Sequence, residues 1–184
     1  KENKTPIIIQ LLKDKLNFDF EFKHCETDDD GTYNEILKFI EDNNNRILYI
    51  SVDVLEREHR NIHIIVPNKG KSDVYIYEPH NPHNKHEMYE HETKYLQLYA
   101  DTEKYNIIEL PQYILEQTYL PLCYMYVIHF FLLIILFPNI NAELYSSYVN
   151  TYNAIDGTND EKVIKYDDVY IMKFTRDMLK LTKE

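Results

Sequence analysis

Apolar residues gather behind Thr5 and Pro6 in "TPIIIQLLKDKLN", with proline where a first-turn N–H lacks a helical partner anyway, and this predicts an opening helix. "FDFEFKH" alternates apolar and polar with period two, the pattern of a strand whose faces see different surroundings. A second helix is predicted over "TYNEILKFIEDNN", where Thr32 and Glu35 stand at the spacing of a capping box. The β-rich runs "RILYISVDVL" and "RNIHIIV", and "DVYIYE" beyond a turn at "PNKGKS", read as the centre of a sheet. A polar, histidine-rich stretch from Pro79 to Glu92 precedes a helical "HETKYLQLYA" and a strand in "YNIIEL". An apolar segment over 121–137 stops at Pro138, and "NAELYSSYVNTY" and "DDVYIMKFTRDMLKLTK" read as closing helices. No internal repeat is visible. Helices before, among and after short strands predict an α+β fold in which a nearly all-apolar helix is buried against a short central sheet. The length, 184 residues, suits a single domain over 1–184.

The apolar segment is open to two readings. Between Tyr119 and Phe137 lie 19 uncharged residues, long enough by hydropathy for a membrane span. Pro121 interrupts its front, His129 sits inside it, and no Lys or Arg flanks either end to set an orientation. A central helix enclosed by protein fits better, and no membrane partner is expected. Cys123 follows Pro121 by two residues and so falls in the first turn, where free N–H groups and the positive end of the macrodipole favour a thiolate. Position alone leaves a second reading open, in which Cys123 is simply a small buried apolar residue.

Charge and cysteine content narrow the partners and the setting. Lys and Arg number 20 against 31 Asp and Glu, and the formal charge of −11 offers no field for a phosphate backbone, so nucleic acid is not expected and a basic protein partner is. Two cysteines, Cys25 and Cys123, are too few for a disulfide framework, and no apolar leader opens the chain, so the expected setting is intracellular and cytoplasmic. The 17 tyrosines against 3 glycines read as a compositional bias without functional content.

Thiol-dependent hydrolysis needs a base for the sulfur's proton, an acid to hold that base in one tautomer, and donors for an oxyanion. His59 heads "HRNIHIIV", Glu78 ends "DVYIYE", and Gln117 lies six residues before Cys123. Antiparallel strands joined by "PNKGKS" would bring the start of the first near the end of the second, so His59 and Glu78 are expected to meet.

The order His, an acid about twenty residues on, then Gln and Cys in Q-x5-C spacing, carried by "HRN", "YEPH" and "QTYLPLC", resembles the SUMO-specific and adenovirus-type cysteine proteases, a permuted branch of the papain-like clan. "HRNIHIIV", "YIYEPHN" and "LCYMYVIHFFLLIILFPN" look most like a group of proteases of large DNA viruses. The resemblance covers about residues 47 to 140. It implies a papain-like fold with Cys123 as nucleophile, His59 as base and Glu78 as its orienter. Gln117 would serve the oxyanion together with the Cys123 N–H. It further implies a peptide or isopeptide bond as substrate, after a small residue in a ubiquitin-like tail or a viral polyprotein, and no cofactor. Two positions depart from the family: Leu122, Cys123 and Tyr124 stand where Asp-Cys-Gly is usual, and Arg60 stands where an aromatic residue commonly follows the base. A catalytically inactive module that binds a peptide or a ubiquitin-like protein is therefore the alternative.

Rival assignments exist for each role. His63 shares a strand face with His59 but lies among Ile62, Ile64 and Ile65, as a core histidine would. Cys25 has His24 beside it, yet strand neighbours point to opposite faces and the following "ETDDD" disfavours a thiolate. His80, His83, His86 and His91 could bind a transition metal, but they share one loop with no second rigid element or cysteine, and no metal is expected.

Overall fold

The computed structural model describes residues 5–26, 30–54, 59–79, 95–108, 123–136, 171, 173–177 and 180, with the side chains of Thr5, Asp30, Val54 and His59 excepted. In chain order the elements are α1 (Thr5–Leu16), β1 (Phe20–Cys25), α2 (Asp30–Asp42), β2 (Ile47–Val54), β3 (His59–Asn68), β4 (Lys71–Tyr77), a 3₁₀ turn (Gln97–Tyr99), β5 (Tyr105–Ile107) and α3 (Cys123–Leu136). The five strands form one sheet in the order β1-β2-β3-β4-β5. The two outer pairs are parallel and the two inner pairs antiparallel, so the fold is α+β around a mixed sheet.

Local chemistry sets the turns. Lys69 and Gly70 both hold positive φ, 41° and 89°, which gives the β3–β4 hairpin a two-residue turn of the type that matches strand twist. Asn17, with φ of 53°, closes α1 in the left-handed conformation that asparagine tolerates. Two sequence expectations shift. α2 starts at Asp30 rather than with Thr32 as its cap, so Thr32 lies within the first turn and is buried, while Glu35 reaches Lys23 at 2.9 Å. The expected helix in "HETKYLQLYA" is, among the described residues, a short helical turn that tightens to 3₁₀ so that Leu98 and Tyr99 are buried. The closing helix "NAELYSSYVNTY" lies outside the described residues, while Ile171 and 173–177 are helical.

Period-two alternation divides the sheet between two cores. One face carries Phe20, Tyr49, Ile62, Ile64 and Tyr77, which pack with Ile8, Ile9 and Leu12 of α1 and with α3. The other carries Cys25, Ile50, Val52, Ile65, Val74 and Ile76, covered by Ile36 and Ile40 of α2 and by Tyr95, Leu98 and Tyr99. β2 and β3 are thus buried on both faces, which explains why their sequences run almost continuously apolar. α3 is buried from Met125 to Phe131, as its all-apolar composition requires. Phe131 is its main anchor, with ring centroids 4.9 Å from Phe20 and 5.0 Å from Tyr49, both edge-on. Among the described residues no helix is long and apolar enough to cross a membrane.

Phe131 is fully enclosed, so Phe131→Ala should lower the unfolding free energy by about 3–5 kcal/mol. Urea denaturation should read this as a lower midpoint at an unchanged slope, and a loss under about 1 kcal/mol would show that α3 is not packed as described.

Candidate functional site

Four elements finish or start at one end of the sheet. β3 runs antiparallel to both neighbours, so its start lies beside the ends of β2 and β4, and β1, parallel to β2, ends there too. α3 is laid so that its first turn reaches the same end. From Phe131 back to Cys123 is about 12 Å of helix, and from Tyr49, which Phe131 touches, on to Asp53 is about 13 Å of strand. Sulfur and strand end therefore lie at one height. The charges that act on the Cys123 sulfur agree with this placement, for they belong to Arg60 at the start of β3, Asp53 near the end of β2 and Glu78 just beyond β4.

Cys123 is half-buried at the head of α3. Burial pushes its thiol up, against the pull of the Arg60 guanidinium and of a hydrogen bond donated by the Tyr124 N–H, and Asp53 and Glu78 push it further. The helix terminus alone therefore does not tip the balance toward the thiolate, because desolvation of the charged sulfur outweighs it. Tyr124 is itself half-buried and packs against the α1–α3 core.

Glu78 is buried at the end of β4. The β3–β4 ladder ends at Ile62 opposite Tyr77, so Glu78, just beyond β4, follows on toward the start of β3, where Asn61 and His59 lie one and three residues before Ile62. His59 opens β3 opposite Val54, and its imidazole is not among the described side chains. The structure thus brings Cys123, Glu78 and the backbone of His59 to one end of the sheet, while alternation along β3 gives the His59 position the face of Asn61 and His63, opposite the Arg60, Ile62 and Ile64 face that α3 covers. Gln117 and the tract from His80 to His91 lie outside the described residues. Among the described residues no group of three His, Cys, Asp or Glu side chains is arranged to hold a metal ion.

The rivals fall elsewhere. Cys25 is buried on the sheet face away from α3, whereas its neighbour His24 lies on the α3 face with Ser51 and Asp53. His63 is also on the far face, fully enclosed, with Nδ1 2.8 Å from the Tyr99 hydroxyl and its ring edge-on to Tyr95 and Tyr99. Burial depresses its pKa to about 4. His129, buried within α3 and edge-on to Phe174 at 5.1 Å, is likewise depressed to about 4 by burial.

A polar chain that sequence reading did not assemble crosses three strands beside Cys123. His24 Nδ1 is 2.8 Å from Ser51 Oγ, and its Nε2 is 3.5 Å from Asp53 Oδ2. Asp53 in turn accepts two hydrogen bonds from Arg60, Nε to Oδ1 at 2.5 Å and a terminal nitrogen to Oδ2 at 2.9 Å. Burial would push the Asp53 carboxyl up, but His24 and Arg60 together hold it below its usual range. The available signal was a charge one residue from the end of one apolar strand and one residue from the start of the next, in "SVDV" and "HRNI", which pairing across the ladder could reconcile.

Comparison with protein-family models and with curated protein sequences returns no match for this chain.

The two enclosed histidines make stability depend on pH. Each takes up a proton near 6.5 in the unfolded chain but only near 4 when folded, so the unfolded state binds more protons between these values. Stability is therefore full above about pH 6.5 and falls as pH drops toward 4, by up to roughly 3 kcal/mol per ring. Urea midpoints measured across this window should fall on acidification, and His63→Gln should flatten the fall. A level profile would contradict the placement of both rings.

Proposed function

We propose that this chain is a thiol-dependent peptidase with a papain-like site in which Cys123 is the nucleophile. The observation that carries the reading is the convergence of the α3 N-terminus, the start of β3 and the end of β4, three segments far apart in sequence, on one end of the sheet. In this reading the His59 imidazole, carried by the first residue of β3, reaches round the end of the sheet to take the Cys123 proton, which burial would otherwise hold on sulfur, and Glu78 fixes the tautomer of that ring. The thiolate attacks a carbonyl carbon, and the oxyanion is met by the Cys123 N–H at the helix start and by the Gln117 amide. His59 returns the proton to the leaving amine. Water then cleaves the thioester, giving a carboxylate and the free thiol. Resemblance supports the substrate: a peptide or isopeptide bond after a small residue such as Gly, in a ubiquitin-like tail or a viral polyprotein.

One observation favours a second reading. The thiol is raised and half-buried, and Tyr124 occupies the family's glycine position, as suits an inactive module that only captures such a peptide.

An alkylating probe at neutral pH separates the two. The peptidase predicts labelling of Cys123 over Cys25, slowed by about a hundredfold in His59→Ala, and release of a fluorophore from a Gly-Gly peptide that is lost in Cys123→Ala. Binding of that peptide without release, with labelling of Cys123 unaffected by His59→Ala, would establish the module instead.

A further inference from the structure

Arg60 stands where the resembling proteases carry an aromatic residue, and a buried guanidinium is costly to keep unless its charge is used or well paired. It is only 8% exposed and is gripped bidentately by Asp53, which also contacts His24, a ring held in turn by Ser51. Such a grip fixes the planar group in one orientation. Arg60 lies on the same sheet face as Ile62 and Ile64, against which α3 packs, and is two residues nearer the strand start. The first turn of α3, level with Asp53, lies over this rung.

We propose that Arg60 is a fixed counter-charge for the Cys123 thiolate, positioned by the Asp53–His24–Ser51 chain. This rests on the reading of Cys123 as the nucleophile. In a thiol protease the protonated base is the usual cation beside sulfur, but it gives up that charge when it protonates the leaving group. A guanidinium keeps its charge throughout and so stabilises the thiolate both before attack and when it is regenerated from the thioester. Asp53 has two opposed effects. It orients Arg60, and its own charge disfavours the thiolate, as the opposite pulls of the two groups on the sulfur indicate. The pair therefore acts as a directed dipole, and removing both charges together removes the stabilisation without leaving a buried ion unpaired.

The test is the pH dependence of Cys123 alkylation by iodoacetamide in the full chain. Arg60→Gln combined with Asp53→Asn should move the midpoint up by about one pH unit, while Arg60→Lys, which keeps the charge, should move it by less than about half that. An unmoved midpoint in the double variant would overturn the proposal. A second measurement uses the unaltered arginine. The Arg60 Nε–H resonance should titrate with the Cys123 midpoint and lose that transition in Cys123→Ala, and a resonance indifferent to the thiol would also overturn it. Both readouts report sulfur ionisation rather than turnover. Loss of the peptidase reading would appear in the His59→Ala labelling and in peptide release, and is thus separable.

Discussion

An α-helix without a polar face can be stable in a protein only if every side is covered, and α3 meets that demand by lying across the sheet with α1 beside it. The contact of Phe131 with Phe20 and Tyr49 fixes how far along the sheet the helix sits. Helix rise and strand rise then decide where Cys123 falls, which is at the rim where β2 and β4 end and β3 begins. The position of the sulfur is thus a consequence of core packing, settled by aromatic rings about two turns away from it. Any substitution that lets α3 slide would move the thiol relative to β3 and β4 before it touched a group at the rim.

Packing places the sulfur but also works against its chemistry. Enclosure raises the thiol, and Asp53 and Glu78 bring negative charge near it. The opposing influences are the first amide of the helix and Arg60. Buried ion pairs seldom stabilise a fold beyond what apolar replacements would give. Retention of a hydrogen-bonded Asp53–Arg60 pair in an otherwise apolar face, tied further to His24, is better understood as a device for orienting charge than for holding β2 to β3. His63 and His129 serve the opposite purpose: both are neutral rings within apolar surroundings, and each contributes shape rather than charge.

Much of this arrangement could be read from the residues because it depends on short-range pattern. One period-two run and three β-rich runs located four of the five strands to within two residues or so, "PNKGKS" marked the hairpin, and unbroken apolar character identified α3 and its burial. What could not be read depended on register. Asp53 and Arg60 look like isolated charges until the ladder sets them opposite each other, and His24 joins them only because β1 lies parallel to β2, a pairing that no local signal encodes. The start of α2 was misplaced for a related reason: Thr32 and Glu35 have the letters of a cap, but burial of one and a cross-element pairing of the other decide their use. For the candidate site, spacing along the chain suggested Cys123, His59, Glu78 and Gln117, of which Gln117 and the His59 ring lie outside the described residues, whereas the electrostatic balance at the sulfur required the folded surroundings.

The central claim is that packing of α3 carries the Cys123 sulfur to the imidazole at the start of β3. A crystal structure of the chain at neutral pH measures this directly. The account predicts the sulfur within about 4 Å of a His59 ring nitrogen, with a Glu78 oxygen on the ring's other nitrogen. A His59 ring turned to the far face of the sheet, with the sulfur sealed among apolar side chains, would contradict it.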